Sequence, residues 1–437
     1  MKRGFRIVLI VAVLGLFPFM QASADVTTNI NGEVRIRPEF RDNADFDKAA
    51  DDTQSFYGQR LRLGFNARIN TDLSGFIQLQ DSRIWGTDDP VTDKSPEKVD
   101  VHQAYVVLNR ICGLALDLKV GRQELMYGDS RLVGLNSWGN GRAFDAIKLM
   151  YIGDTVGVDI WTAKVMENNS CSGVVGCTAP VTGASGQDTD FYGIYSTVKE
   201  NPIPESNLQG YILYKYDGPT NLSEYTVGAR LAGKASGVGI DYTGEFAYQF
   251  GDKGNPVTSS AYRLVNISAY ALAGEAGYTM ANLIWSPRVA IEYDLATGDN
   301  DSTDKDYKTF DQLYPTNHAQ YGYMDYQGWK NMKDVTLKVS VKPSDKSLLY
   351  AAYHMFSLAE ENDSWYAADG TVKMPGGIGK GTVGQELDLL VRHIYNQNLK
   401  IEAGISEFFT GDFIKNQTNI TDNENSTWAY IMGTVSF

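Results

Sequence analysis

The chain has 437 residues, of which 53 are Asp or Glu and 39 are Lys or Arg, for a formal net charge of -14. This acidic balance argues against a nucleic-acid-binding protein, and three cysteines are too few for a disulfide-stapled scaffold. No dinucleotide fingerprint, phosphate loop or covalent haem motif occurs in the sequence, so we expect no cofactor.

The first segment has the features of an export signal. Lys2, Arg3 and Arg6 precede an apolar run over residues 7–19, and small residues follow at 22–24. This pattern predicts a signal peptide over residues 1–24 with cleavage before Asp25. The apolar run is short for a membrane span, and no later run approaches about 18 apolar residues, so we expect no transmembrane helix.

After the signal, segments of about 10 residues alternate between polar and apolar side chains, as in a tilted transmembrane strand. In the first, Arg35 and Arg37 alternate with Ile36. About 18 such segments occur. The clearest polar faces contain Arg35, Arg37, Arg60, Arg62, Arg68, Glu245, Arg288, Glu292, Lys338, Glu386, Asp388 and Arg392.

Alternation alone fits a soluble sandwich as well as a barrel, but the connections between the segments favour the barrel. They alternate strictly between short turns and long loops, as expected for periplasmic turns and external loops. The long ones lie near residues 41–54, 85–97, 126–142, 167–188, 297–330, 359–381 and 411–426. We therefore predict an all-β fold, a transmembrane antiparallel barrel over residues 25–437.

The last segment supports this prediction. Ala429, Ile431, Val435 and Phe437 share one face of an extended strand, and the chain stops on the aromatic residue. A terminal Phe resembles the signal that the barrel-assembly machinery reads, and the final strand is expected to close the barrel. The location predicted from these features is the outer membrane of a Gram-negative bacterium, among its lipids and lipopolysaccharide.

Three blocks of sequence resemble the alginate-export porin family. They are residues 121–145, which include GRQELMYGD and GRAFD, residues 310–325, which begin FDQLYPTNHA, and residues 384–389, GQELDL. The resemblance implies a monomeric barrel of 18 strands that passes an anionic polysaccharide through an arginine-rich constriction. By position, it also implies that Arg122 and Arg142 contact the solute.

The arginines of the first two segments admit two interpretations. Their guanidinium groups suit carboxylates and phosphates and so can guide an anionic solute. Alternatively, they pair with Glu33 and Glu39 to stabilise the wall. The loop over residues 126–142 either narrows the lumen or caps it from outside. Strict alternation would turn Arg122 towards lipid, so we expect a bulge near Gly121 or a position of Arg122 above the membrane.

Two other groups of residues are candidates for binding or crosslinking. Asp299, Asp301 and Asp304 have the oxygen-rich spacing of a weak Ca²⁺ candidate, although a solvated loop is the simpler interpretation. Cys171 and Cys177 share one predicted external loop and are candidates for a disulfide in an oxidising compartment.

These observations predict a non-enzymatic outer-membrane porin for passive diffusion of hydrophilic solutes, including anions and saccharides. A dedicated export conduit for an alginate-like polysaccharide is one alternative. A sheath around a periplasmic redox partner would need a wide lumen without a plug. An outer-membrane hydrolase would need a histidine such as His318 beside a nucleophile.

Overall fold

The computed structural model describes residues 26–86, 99–166, 188–200, 203–258 and 261–437. The predicted signal peptide lies outside the described residues and stays a prediction, as does the disulfide between Cys171 and Cys177. Cys112 is described and is a free, exposed thiol. No helix within the described ranges is both long and apolar enough to cross a membrane.

The described residues form 21 strands, a 3-10 turn at Ile111–Gly113 and one short helix, α1. The elements are β1 Thr27–Asp42, β2 Gln54–Arg68, β3 Leu73–Ile84, β4 Asp100–Leu108, β5 Leu116–Gln123, β6 Phe144–Ile152, β7 Val156–Met166, β8 Thr189–Val198, β9 Ser206–Asp217, β10 Leu222–Ala235, β11 Ile240–Thr258, β12 Ala261–Thr279, β13 Arg288–Ala296, β14 Asp306–Tyr307, β15 Met332–Ser344, β16 Ser347–Ser357, β17 Trp365–Tyr366, β18 Val372–Met374, β19 Thr382–Ile394, β20 Leu399–Thr410, α1 Asp412–Lys415 and β21 Ser426–Ser436.

The long strands close into a barrel of 18 antiparallel strands, which confirms the predicted fold. Each long strand pairs with its neighbour along the chain, and β1 pairs with both β2 and β21. At this seam the backbone amide of Gly32 donates to the carbonyl of Phe437 over 2.8 Å. A Cβ on Gly32 would lie 2.3 Å from the Phe437 ring, so only glycine fits beneath that ring.

The two faces of the wall differ as the alternation predicts. On β13, Ile291 is 54% exposed on the outside, whereas the neighbouring Glu292 is 1% exposed on the inside. Near the long-loop end, outward rings stack across four adjacent strands in the order Tyr192, Tyr214, Tyr225 and Phe250. A row of this kind is typical of the aromatic girdle where a barrel meets the membrane surface.

The alternation of connections holds with two exceptions. One end of the barrel carries short turns, and the other carries most of the long loops. At that second end, however, only residues 218–221 join β9 to β10 and only residues 259–260 join β11 to β12. The prediction of strict alternation is therefore wrong at these two positions. Strands β11 and β12 have 19 residues each, so this hairpin extends by its strands instead of by a loop.

Two long connections turn into the lumen. Loop A (residues 124–143) joins β5 to β6, and loop B (residues 297–331) joins β13 to β15. The prediction of loop B as an external loop is wrong, because its buried residues pack inside the barrel. These include Phe310, Tyr321, Met324 and Trp329. The candidate site lies where the two loops meet the inner wall.

Candidate functional site in the barrel lumen

Loop A is attached at its start to the inner face of β7 and β8. The ring of Tyr127 stacks on Trp161 at 4.7 Å and on Tyr195 at 4.6 Å between centroids. Its hydroxyl donates a hydrogen bond of 2.8 Å to Asp159. Burial and the neighbouring Asp159 carboxylate raise the pKa of Tyr127, so the hydroxyl stays a donor. The aromatic contacts and this bond fix where the loop enters the lumen.

The middle of loop A is held by three ion pairs with distant strands. Asp129 accepts a hydrogen bond of 2.8 Å from Arg230 on β10. Arg131, which is 3% exposed, lies 3.1 Å from Asp294 and also pairs with Glu292, both on β13. These contacts tie the loop to the far wall.

The far end of loop A is held by arginines of β1 and β2 through backbone carbonyl groups. Arg35 and Arg60 each donate to the carbonyl oxygens of Ser137 and Gly139, over 2.8–3.1 Å. Arg37 donates to the Trp138 carbonyl at 2.7 Å, and its guanidinium lies 3.9 Å from the centre of the Trp138 ring. Loop A therefore crosses the whole lumen from β7 to β1.

Loop B lies against loop A and extends its obstruction of the lumen. The amide of Gly134 donates to the carbonyl of Tyr314 over 2.8 Å, and the amide of Tyr314 donates to Leu132 over 2.9 Å. The Trp138 ring stacks on His318 at 4.0 Å. Backbone bonds and a stacked ring pair thus join the two loops at two places.

Loop B is in turn held by carboxylates of the wall and by a lysine. The amide of Met324 donates to Glu386 over 2.8 Å. Gly322, with a positive φ of 86°, lies so close to Glu386 that an added Cβ would be 2.5 Å from the carboxylate. On the other side, Lys215 of β9 lies 2.6 Å from Asp311. Burial raises the pKa of Asp311, but the charges of Lys215 and Lys330 outweigh burial and hold this pKa below its usual range.

The charges of the inner wall are separated around the barrel. Strands β1 and β2 present a basic face of Arg35, Arg37, Arg60 and Arg62. Strands β11 to β19 present a mainly acidic face of Asp241, Glu245, Glu275, Glu292, Asp294, Asp334, Glu386 and Asp388, with Arg288 and Lys338 among them. The two faces occupy different sectors of the wall, although only β20 and β21 lie between β19 and β1.

A cavity of about 320 Å³ lies under the meeting point of the loops, towards the short-turn end. It reaches both the wall and the tip of loop A. Its lining consists of Glu33, Arg35, Arg60, Ser137, Trp138, Thr316, His318, Ala319, Tyr323, Leu390, Arg392, Lys400, Glu402, Tyr430, Met432 and Thr434. Two ion pairs hold the carboxylates, Arg60 with Glu33 at 2.7 Å and Arg392 with Glu402 at 2.6 Å. Basic groups therefore outnumber acidic groups in the cavity.

The strand residues predicted to line the pore lie on the inner face, and most are paired there. Arg37 pairs with Glu39 at 2.7 Å, and Lys338 pairs with Glu275 at 2.7 Å. The further inward residues are Arg62, Arg68, Glu245, Arg288, Glu292, Glu386, Asp388 and Arg392. Contact of these residues with a solute stays a prediction. Arg142 donates to the carbonyls of Gly134 and Pro315 and so lies between the loops.

The assignment of Arg122 to the pore wall is wrong. Pairing of β5 with β6 continues without a bulge through Arg122, which lies on the outer face at the long-loop end. There it pairs with the exposed Asp145 at 3.3 Å, and Lys164 lies next along the same row. The cost of an outward charge is avoided because the row lies at the end of the strands, where a polar environment is available.

The calcium candidate has a different explanation. Asp299 accepts the amide of Asp301, and Asp301 accepts the amide and hydroxyl of Thr303. Asp304 pairs with Lys308 at 3.4 Å. These carboxylates cap turns of the backbone, and the described ranges contain no group of His, Cys, Asp and Glu able to hold a metal ion.

Two buried residues of the lumen, Arg131 and His354, were not among the residues that the sequence analysis assigned to the pore. Arg131 lies outside any alternating segment, so periodicity gave no signal for it. His354 lies on the inner face of β16, 2.7 Å from Asp334 and 3.7 Å from Asp388. The alternation of His354 with outward residues indicates that it faces the lumen. Its partners could not be read from the sequence, because they lie on two other strands.

The model of the alginate export family matches residues 26–427. The chain belongs to the alginate export family. No curated protein matches it in sequence. OccK8 (OprE) of Pseudomonas aeruginosa is a structural neighbour, with a TM-score of 0.59, 11% identity, and coverage of 94% of this chain and 98% of that one. OccK11 (OpdR) of the same organism has a TM-score of 0.55, 12% identity, and coverage of 94% and 96%.

A third neighbour is P. aeruginosa OpdK, solved with vanillate, at a TM-score of 0.56, 10% identity, and coverage of 94% and 98%. At these identities the neighbours show the fold alone. Family and fold together support an outer-membrane channel of a Gram-negative bacterium. The sheath alternative does not fit, because loops A and B cross the lumen that a periplasmic partner would occupy.

Proposed function

We propose that this barrel is a passive channel for small hydrophilic anions, including carboxylated sugars. The observation that carries this proposal is the surplus of basic groups in the cavity beneath the loops. Lys400 lines that cavity, and among the described residues its ammonium has no hydrogen-bond or ion-pair partner. A free ammonium beside a water-filled passage raises the local concentration of anions and lowers their entry barrier.

A small solute fits this lumen better than a polysaccharide chain. Loop A is bound at its start by Tyr127, in its middle by Arg131 and at its far end by Arg35 and Arg60. A polymer would have to displace most of these contacts for as long as it threads the barrel. A small anion needs only a path beside the loop. Dedicated polysaccharide export therefore stays the less favoured alternative.

The basic surplus is tested by the Lys400→Gln variant in planar bilayers under a KCl gradient. One unit charge about 8 Å from a passing ion in water contributes about 0.5 kcal/mol, which is roughly twofold in permeability. Because the charge favours the anion and opposes the cation by the same amount, we expect the ratio of anion to cation permeability to fall about fivefold. Lys346→Gln is the matched control, because Lys346 lies in the exposed turn between β15 and β16, outside the cavity. Equal ratios for both variants and the unmodified protein would refute the proposal.

The surroundings and assembly follow from the same proposal. We infer that the aromatic row and the charged row of Arg122, Asp145 and Lys164 mark the boundary with lipopolysaccharide. Entry into the membrane through the barrel-assembly machinery and a monomeric state are part of the proposal. Cross-linking of the purified barrel in detergent tests the monomer, and a dominant multimer would contradict it.

A further inference from the structure

Two arginines hold the tip of loop A in an arrangement that differs from the other anchors. Arg35 and Arg60 are directly opposite each other in the pairing of β1 with β2. Both guanidinium groups donate to the same two carbonyl oxygens, those of Ser137 and Gly139. Arg35 is thus satisfied by neutral acceptors of the loop backbone, whereas Arg60 divides its donors between these carbonyl oxygens and the Glu33 carboxylate.

Neutral acceptors are weak partners for this pair. A carboxylate brings the opposite charge and two oxygens in the bidentate geometry that suits a guanidinium fork, whereas a carbonyl oxygen brings neither. Glu33 neutralises Arg60 at 2.7 Å, but Arg35 forms no ion pair among the described residues. A carboxylate placed between the guanidinium groups would both replace the carbonyl oxygens and relieve the repulsion between the charges.

The cavity gives a solute access to this arrangement. Its lining includes both arginines together with Ser137 and Trp138 of the loop tip. One molecule bound in the cavity would therefore contact both the arginines and the loop tip that they hold. The tip is flanked by Asn136 with φ of 48° and Gly141 with φ of 91°. The amide of Gly141 donates to the Asn136 carbonyl over 3.2 Å, which makes the tip a closed turn. Arg37 holds the same turn through the carbonyl and the ring of Trp138, so the turn leaves the wall as one unit once all three arginines release it.

We propose that Arg35 and Arg60 form a carboxylate-released clasp. A small carboxylate that enters the cavity takes the guanidinium groups from the carbonyl oxygens of Ser137 and Gly139. The contacts of Arg37 and His318 with Trp138 then break as well. The tip of loop A swings away from β1 and β2 and widens the passage, while Tyr127 and Arg131 keep the rest of the loop in place. A ligand shifts such an equilibrium only by its preference for one state, and the carboxylate binds only where the carbonyl groups have left. This regulation rests on the proposed channel function.

The clasp is tested with potassium glucuronate as the carboxylate probe and glucose with equimolar KCl as the neutral reference. Hydrogen exchange of the peptide 134–141 is measured on the full chain in detergent. We expect exchange at least threefold faster in glucuronate than in the reference. In single-channel recordings, the larger conductance level should be occupied severalfold more often in glucuronate. Equal exchange and equal occupancy in both solutions would overturn the proposal.

Variants separate the clasp from general effects of charge. The double variant Arg35→Gln, Arg60→Gln should lose the response to glucuronate, with fast exchange of the tip in both solutions. Arg35→Lys keeps the charge but loses the fork, so its response should be weaker than that of the unmodified protein. Arg110→Gln is the matched control, because Arg110 is an exposed residue at the short-turn end, 3.5 Å from Asp72, and its response should persist.

Failure of the clasp and failure of the channel proposal give different results. Anion selectivity that depends on Lys400, without any response to glucuronate, would overturn the clasp alone. If the unmodified protein shows no anion selectivity, but hydrogen exchange of the loop tip still becomes faster in glucuronate, the channel proposal is overturned and the clasp is supported.

Discussion

The strongest single contact of loop A is predicted to be the buried pairing of Arg131, and Arg131→Gln tests it. Arg131 lies 3.1 Å from Asp294, pairs with Glu292, and donates to the Tyr321 hydroxyl over 2.6 Å. Burial alone would lower the pKa of Arg131, but Asp294, Tyr321 and Glu292 raise it above the usual value. The guanidinium therefore stays charged, and its removal leaves the Asp294 carboxylate without a partner.

Removing one partner of a buried ion pair costs about 3–5 kcal/mol, because a buried charge remains uncompensated. Arg122→Gln is the matched control, since Arg122 and Asp145 are both exposed and such a pair contributes about 0–1 kcal/mol. The free energy of unfolding is measured by urea titration of the barrel folded in micelles. Lys338 still neutralises Glu292 in the variant, so we expect the lower part of the range.

A double variant identifies where the loss arises. Arg131→Gln combined with Asp294→Asn removes the uncompensated carboxylate, so it should recover part of the stability lost in Arg131→Gln alone. Protease cleavage within residues 124–143 should follow the same order. A loss for Arg131→Gln no greater than that for Arg122→Gln, or no recovery in the double variant, would refute the conclusion that this pair anchors loop A.

Two further predictions concern loop B. Gly322→Ala should give faster hydrogen exchange of the Met324 amide than Gly377→Ala. Both glycines have positive φ, 86° at Gly322 and 84° at Gly377. Only at Gly322 would an added Cβ meet a neighbour, the Glu386 carboxylate at 2.5 Å. The positive φ alone costs about 1–2 kcal/mol in each variant, so equal exchange rates would contradict the proposed close contact. Because the pKa of Asp311 is lowered in the fold, its contribution to the docking of loop B is present above the ordinary aspartate pKa of 3.8 and is lost as the pH falls towards the lower pKa of the folded state. Protease resistance of loop B should therefore fall below about pH 4 and become independent of pH in Asp311→Asn; equal pH profiles for the two proteins would contradict this assignment.

The wall was predictable from the sequence because each strand carries its own evidence. The alternation of Arg35 and Arg37 with Ile36 fixes both the strand and its inner face without reference to any other residue. The same rule places Arg122 on the outer face, where the structure has it. Only the role given to Arg122 was wrong. A family position had assigned it to the pore, and the pairing with Asp145 shows why the charge is tolerated outside.

The lumen was not predictable in the same way, because its contacts join residues far apart in sequence. Arg131 meets Tyr321 and Asp294, and neither partner is indicated by spacing or periodicity. Loop B contains the same mixture of Asp, Gly and Tyr that an external loop would contain. Only the arrangement of complementary groups on strands β13 and β19 determines that it packs inside.

The arginines of β1 and β2 illustrate why the two sequence interpretations are compatible. Arg37 and Arg60 do pair with acids of the wall, as the structural interpretation predicts. Their remaining donors, with those of Arg35, hold loop A through carbonyl oxygens, which no pattern of charges reveals. A lysine has a single compact charge, whereas a guanidinium has five donors in a rigid fork. A guanidinium therefore contacts the wall and the loop from one position, and in the proposed clasp the same fork also binds an arriving carboxylate.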